Sequence, residues 1–110
     1  MKVQEKYYKL LKSGQKRIEL RLFDEKRRKI RIGDEIIFSN LNDDTDSFKA
    51  RVTHLYRADN FESLCRQISP KEAGFETAEE LIGVMQTFYP RIDQEKYGVL
   101  GIGIKRETTE

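Results

Sequence analysis

The six residues from Arg17 to Leu22 constrain the fold of this chain more than any other stretch. Ile18, Leu20 and Leu22 alternate with Arg17, Glu19 and Arg21. That period of two puts three apolar side chains on one face of a strand and three charges on the other. Gly14, just upstream, suits the left-handed end of a helix, while Lys26-Arg27-Arg28-Lys29 and then Gly33-Asp34 read as a charged loop and a tight turn. One face of the strand builds a core, and the other is offered to a partner.

A chain of 110 residues supports one core, so the whole length is expected to form a single domain. Charged residues make up 36% and apolar ones 37%, so the surface must be heavily charged while enough periodic apolar sequence remains to fold. The net charge of +2 conceals an asymmetry: residues 1 to 35 hold 12 Lys or Arg against 6 Asp or Glu, and the other 75 residues hold 9 against 13. A polyanion would be steered to the basic first third. No apolar run is long enough to span a membrane. Met1 to Lys6 lacks the apolar core of a signal peptide, and Cys65 has no second cysteine to pair with, so a cytoplasmic location is expected.

Tyr7, Leu10 and Leu11 at helical spacing predict a helix over Val3 to Lys12 ended by Gly14. The first strand follows at Ile18 to Leu22 and a second at Glu35 to Phe38, with Asn40 to Ser47 as a loop. The longest alternating run, Phe48 to Arg57, predicts a half-buried strand able to bend across a barrel. Asn60 reads as a helix cap before Phe61, and Thr77 with Glu80 has the spacing of a capping box. Leu81, Val84, Met85 and Phe88 continue that helix as an apolar, core-facing stripe until Pro90. After a polar loop, Tyr97 to Ile104 is a last strand whose three glycines call for close approach by another backbone or a ligand. These elements suit an α+β fold: a small, mostly antiparallel β-barrel with two or three helices packed over it.

Gly14-x-Lys16-x-x-Glu19-x-Arg21, the Gly33-Asp34 turn, Phe88-Tyr89-Pro90 and the strand opening near Tyr97-Gly98 together resemble the ASCH domain family of the PUA-like fold. The resemblance covers most of the chain. It implies a cleft beside the first strand and a role in binding RNA or nucleotides. One branch of the family resembles amidohydrolases acting on N4-acylated cytidine nucleosides through a lysine, a threonine and a glutamate. Lys16 falls on that branch's lysine, but Glu19 stands where it has threonine, and the nearest candidates for its glutamate are Glu72 and Glu76.

The residues themselves divide into three groups. Lys16 and Glu19, three apart, would face opposite sides of a regular strand, so sharing a cleft requires Lys16 to lie in the turn after Gly14. The plainer alternative is a solvated Lys16 and a surface ion pair from Glu19 to Arg17 or Arg21. Arg21 shares the Glu19 face and can fork onto a phosphate or carboxylate. Arg27 and Arg28 in the basic loop suit a phosphate track, unless they are merely a solvated charge run. Tyr89 and Tyr97 are the candidates for stacking a base. His54 has no His or Cys at ligand spacing, so no metal and no cofactor is expected. Cys65 reads as a buried hydrophobe. If the cleft is catalytic, Lys16 would be base or electrostatic stabiliser and Glu19 would activate water. The expected partners are RNA, a nucleotide or a nucleoside.

Overall fold

A computed structural model describes residues 1–107. In chain order the elements are β1 (Lys2–Val3), α1 (Glu5–Ser13), β2 (Ile18–Leu22), β3 (Glu35–Asn40), β4 (Asp43–Ala58), α2 (Phe61–Leu64), α3 (Ala78–Phe88), α4 (Arg91–Tyr97) and β5 (Val99–Arg106). Short 3-10 turns occupy Arg27–Lys29 and Pro70–Ala73. The five strands form one sheet in the order β1-β3-β4-β5-β2, antiparallel except where β1 lies parallel to β3. It curls into a half-barrel whose open seam lies between β1 and β2, the two edge strands.

Each face of the curled sheet carries a core. Val52, Leu100, Ile102 and Ile104 line the concave side with Tyr8, Leu11, Phe38 and Phe48. Ile18, Leu20 and Val99 lie on the other face, under Phe61, Leu64, Leu81 and Met85. The alternation along β2 therefore has a deeper consequence than a wet and a dry side. Glu19 is paired with Ile102 and Arg21 with Leu100, so the charged face turns into the half-barrel.

Local chemistry accounts for most boundaries. Gly14 ends α1 at φ +86°, and Gly33 takes φ +95° in the turn before β3, where the Asp34 carboxylate accepts from the Arg31 amide at 2.9 Å. Asn60 accepts from Ser63 N–H at 2.8 Å and Thr77 from Glu80 N–H at 3.1 Å, capping α2 and α3. The long strand carries a register shift between Val52 and His54, which bends it across the sheet.

Several expectations need correction. The first helix begins at Glu5, because Val3 is taken by β1 and buried in the concave core. Asn40 to Ser47 is not a loop: β3 runs to Asn40 and β4 starts at Asp43, leaving a turn of Leu41-Asn42. Its polar residues are poor strand formers, but pairing continues from the apolar part of the hairpin. Asp46 is also anchored by the Tyr8 hydroxyl at 2.9 Å and the Lys12 ammonium at 2.8 Å. The polar stretch after Pro90 is helical, which raises the helices among the described residues from two or three to four. Gln94 holds α4 in place by donating to Tyr89 O at 2.9 Å and accepting from Phe61 N–H at 3.2 Å. Tyr97 therefore ends α4, and the last strand begins at Val99. Phe88 is 41% exposed and not core, because the end of α3 overhangs a cavity. The β5 glycines meet the neighbouring strands, as an added Cβ on Gly103 would lie 2.9 Å from His54 Cβ and one on Gly101 3.2 Å from Ile18 Cγ2. Among the described residues no helix is long and apolar enough to cross a membrane, and no group of three or more His, Cys, Asp or Glu side chains is placed to hold a metal.

Candidate functional site

The turn after α1 delivers a lysine into the protein. Lys16 N–H donates to Leu10 O at 3.0 Å and Arg17 N–H to Glu72 O at 2.7 Å, so the segment is pinned before β2 pairing begins. The Lys16 stem passes beneath Gly74, where an added Cβ would lie 3.2 Å from Lys16 Cδ. Its ammonium, with the residue only 3% exposed, donates to Ala73 O and sits 3.5 Å from Glu19 Oε1. The rings of Tyr7 and Phe75 flank it at 5.6 and 5.7 Å. Burial lowers the lysine pKa, and the Glu19 charge opposes that shift.

Glu19 is the hub. Its Oε1 also accepts from Leu20 N–H at 3.2 Å, and its Oε2 takes both Arg21 Nε at 3.3 Å and an Arg21 terminal nitrogen at 2.9 Å. The same guanidinium donates to Lys2 O at 2.8 Å, so Arg21 bridges the open seam from β2 to β1. Burial, the largest influence, disfavours charge on Arg21, but Glu19 and then Tyr89 outweigh it and the pKa lies above its ordinary value. With Lys16 charged, two cations share one carboxylate and the network carries a net positive charge. A buried set of this kind is weak support for stability but holds its members in a fixed geometry.

Over this network lies a cavity of about 230 Å³ in the seam. Lys16, Glu19 and Arg21 form its polar side, with Tyr7 from α1, Phe75, and Met85, Phe88 and Tyr89 from the end of α3. Among the described residues no serine or threonine lines it.

The structure thus brings together Lys16, Glu19, Arg21 and Tyr89. Arg27 is held by Asp24 at 3.0 Å and lines an adjoining groove of about 700 Å³ that shares Lys2 and Arg21 with the cleft. Arg28 lies further off, its guanidinium 4.7 Å from the centre of the Phe23 ring. Tyr97 borders a different surface, with Lys96 5.1 Å from its ring. Glu72 and Glu76 are exposed, and neither lines the cavity. Cys65 is half-buried against the helical core and its thiol pKa is pushed up by burial. Sequence reasoning passed over Tyr7 and Phe75. Adjacent tyrosines on α1 divide their work, Tyr8 filling the core and Tyr7 lining the cleft, and only tertiary packing distinguishes them.

The model of the ASCH domain matches residues 1–107. The chain belongs to the ASCH domain family. Solved ASCH-like structures share its fold over essentially the full length. The hypothetical protein PH0355 is 35% identical with a TM-score of 0.84, covering 97% of this chain and 96% of its own. Protein PF0455 from Pyrococcus furiosus is 30% identical with a TM-score of 0.71, covering 99% of this chain and 100% of its own. No curated protein matches.

Proposed function

We propose that the seam cleft binds one nucleotide, free or as a unit of single-stranded RNA. The observation that carries this reading is the pairing of aromatic walls with a prearranged cation. Tyr7, Phe75 and Tyr89 surround a cavity whose polar side is Arg21, already oriented by Glu19. A base stacks on such rings whatever its identity, and a fixed guanidinium meets phosphate without losing much side-chain freedom. With Lys16 charged, the net positive charge of the network favours an anion, and the groove holding Arg27 continues from the Arg21 end of the cleft. Arg27 would touch the backbone there and Arg28 would meet it beyond the groove, adding affinity without base choice.

Fluorescence anisotropy with a labelled oligoribonucleotide at several salt concentrations tests the reading. Affinity should fall with salt, and Arg27→Ala with Arg28→Ala should flatten the log-log slope by roughly 0.7 for each phosphate that the arginines no longer neutralise. Tyr89→Ala should weaken binding by about 5- to 150-fold, the equivalent of ~1–3 kcal/mol for one stacked base. Absence of binding at low salt, or an unaltered affinity in Tyr89→Ala, rejects it.

A hydrolytic reading, with an N4-acylated cytidine as substrate, has one observation in its favour: the buried Lys16 ammonium, its pKa lowered, beside a carboxylate. Against it, both Glu19 oxygens already have partners in Lys16, Leu20 and Arg21. Turnover of an acylated cytidine that disappears in Lys16→Ala would establish hydrolysis. Absence of turnover leaves the binding role.

A further inference from the structure

Lys16 borders two concave surfaces. On the other side of the Gly14–Arg17 turn lies a groove of about 570 Å³ along β4 and β5. Its floor has an unusual construction. The register shift after Val52 sets His54 opposite Gly103 and Tyr56 opposite Gly101, on the sheet face turned away from the half-barrel. A Cβ on Gly103 would lie 2.9 Å from His54 Cβ, and one on Gly101 3.6 Å from Tyr56 Cδ2. At these positions glycine leaves the room that His54 Cβ, the Tyr56 ring and Ile18 Cγ2, 3.2 Å from the Gly101 site, occupy. The imidazole and phenol rings stack on one another, 11° apart with centroids separated by 5.9 Å. The far end of the same face is covered by α2 and α3, and Tyr56 packs partly against that core, which braces the ring from behind. His54 is exposed.

The charge around the rings is one-sided. Arg17, Lys105 and Arg106 join Lys16 along the groove, against Glu72 as its one carboxylate among the described residues. Arg106 is fastened by a 2.8 Å bond to Lys12 O, while Arg17 and Lys105 are exposed at the rim. Two stacked rings beside flanking cations match what a single strand presents, a π-face at each base and a charge at each phosphate.

We propose that this groove is a second binding surface for single-stranded RNA. A strand with one nucleotide in the seam cleft passes around the Gly14–Arg17 turn, stacks a further base on His54 and Tyr56, and sets its phosphates against Arg17 and Lys105. The proposal rests on the nucleotide-binding reading of the cleft, and two probes separate them. One uridine 5′-monophosphate cannot occupy both sites at once, whereas a fluorescein-labelled decauridylate, at about 3.4 Å or more per nucleotide, extends over most of the protein's 41 Å length.

The experiment compares the two probes, by NMR titration and by anisotropy. His54→Ala with Tyr56→Leu should weaken decauridylate binding about tenfold and leave the mononucleotide unchanged, whereas Tyr89→Ala should weaken both. Lys105→Ala should flatten the salt dependence for the decamer alone. His54→Ala and Lys105→Ala alter exposed side chains, so they carry the test if Tyr56→Leu does not fold. A decamer affinity within twofold of the parent in these variants overturns the proposal, and if Tyr89→Ala still weakens the mononucleotide, the cleft stands alone. A decamer that depends on His54 and Lys105 but not on Tyr89 supports the groove and removes the cleft reading.

Discussion

Replacing Glu19 by glutamine isolates what the buried network requires. The carboxylate receives Lys16 at 3.5 Å and Leu20 N–H at 3.2 Å on one oxygen, and Arg21 at 3.3 and 2.9 Å on the other. An amide offers one acceptor oxygen, so in either orientation its NH2 group faces a cation or an N–H that also needs an acceptor. Arg21 is then left with no countercharge, and Lys16, whose charge only Glu19 supports against burial, is driven toward its neutral form, at side-chain exposures of 15% and 3%. Removing one partner of a buried pair costs ~3–5 kcal/mol, a large share of the 5–15 kcal/mol that typically holds a domain. At about 4 °C per kcal/mol for a domain near this size, the melting temperature should drop on the order of 12–20 °C. Urea and thermal unfolding measure this directly. As a control, Lys16→Met, Glu19→Leu and Arg21→Met combined should come within about 1–2 kcal/mol of the parent protein, because no charge remains buried. A loss below about 1 kcal/mol in Glu19→Gln alone, the value for an exposed pair, refutes the desolvation of the network.

Three further outcomes follow from the same geometry. Burial, opposed by Glu19, holds the Lys16 pKa below its ordinary value, so over that window the unfolded chain binds more protons than the folded one. Stability should rise with pH from the depressed pKa up to the unfolded value of about 10.4, and Lys16→Met should flatten that rise in urea titrations. Tyr8 behaves oppositely: burial first, then its bond to Asp46, push its pKa up to about 12, so stability should fall as pH passes 10, a loss that Tyr8→Phe should abolish. Gly14→Ala should cost only ~1–2 kcal/mol for the left-handed backbone, since nothing lies within 4 Å of the added Cβ. Gly103→Ala has no such backbone strain but forces a 2.9 Å approach to His54 Cβ, and should cost ~1–3 kcal/mol by the same unfolding assay.

What the sequence revealed and what it hid divide along the range of the interactions involved. Gly14, Gly33, Asn60 and Thr77 act on neighbours within a few residues, and the turns and caps they announce are where they were expected. The bounds of β2 followed from its alternation alone. That alternation also separated Glu19 and Arg21 from the apolar face, but it could not say that the charged side would be buried. Glu19 is 5% exposed because β2 is an edge strand of a curled sheet and its inner face closes on itself. The helix α4 was hidden because its buried anchor, Gln94, acts through Tyr89 and Phe61, the latter far away in sequence. Asp43 to Ser47 read as a loop by composition, and became strand through partners on β3 and α1. Tyr7 and Phe75 reach the cleft from opposite sides of the Lys16 ammonium, a meeting that no local pattern encodes.

The central claim is that a nucleobase lies among the rings of the seam cleft, with Arg21 on its phosphate side. Intermolecular nuclear Overhauser effects between protein and uridine 5′-monophosphate address it most directly. Cross-peaks are expected from the base H5 and H6 protons to the ring protons of Tyr7, Phe75 and Tyr89, and they should vanish in Tyr89→Ala. Cross-peaks confined to Phe23 and Tyr97, or a mononucleotide that shifts no cleft resonance at millimolar concentration, would contradict it.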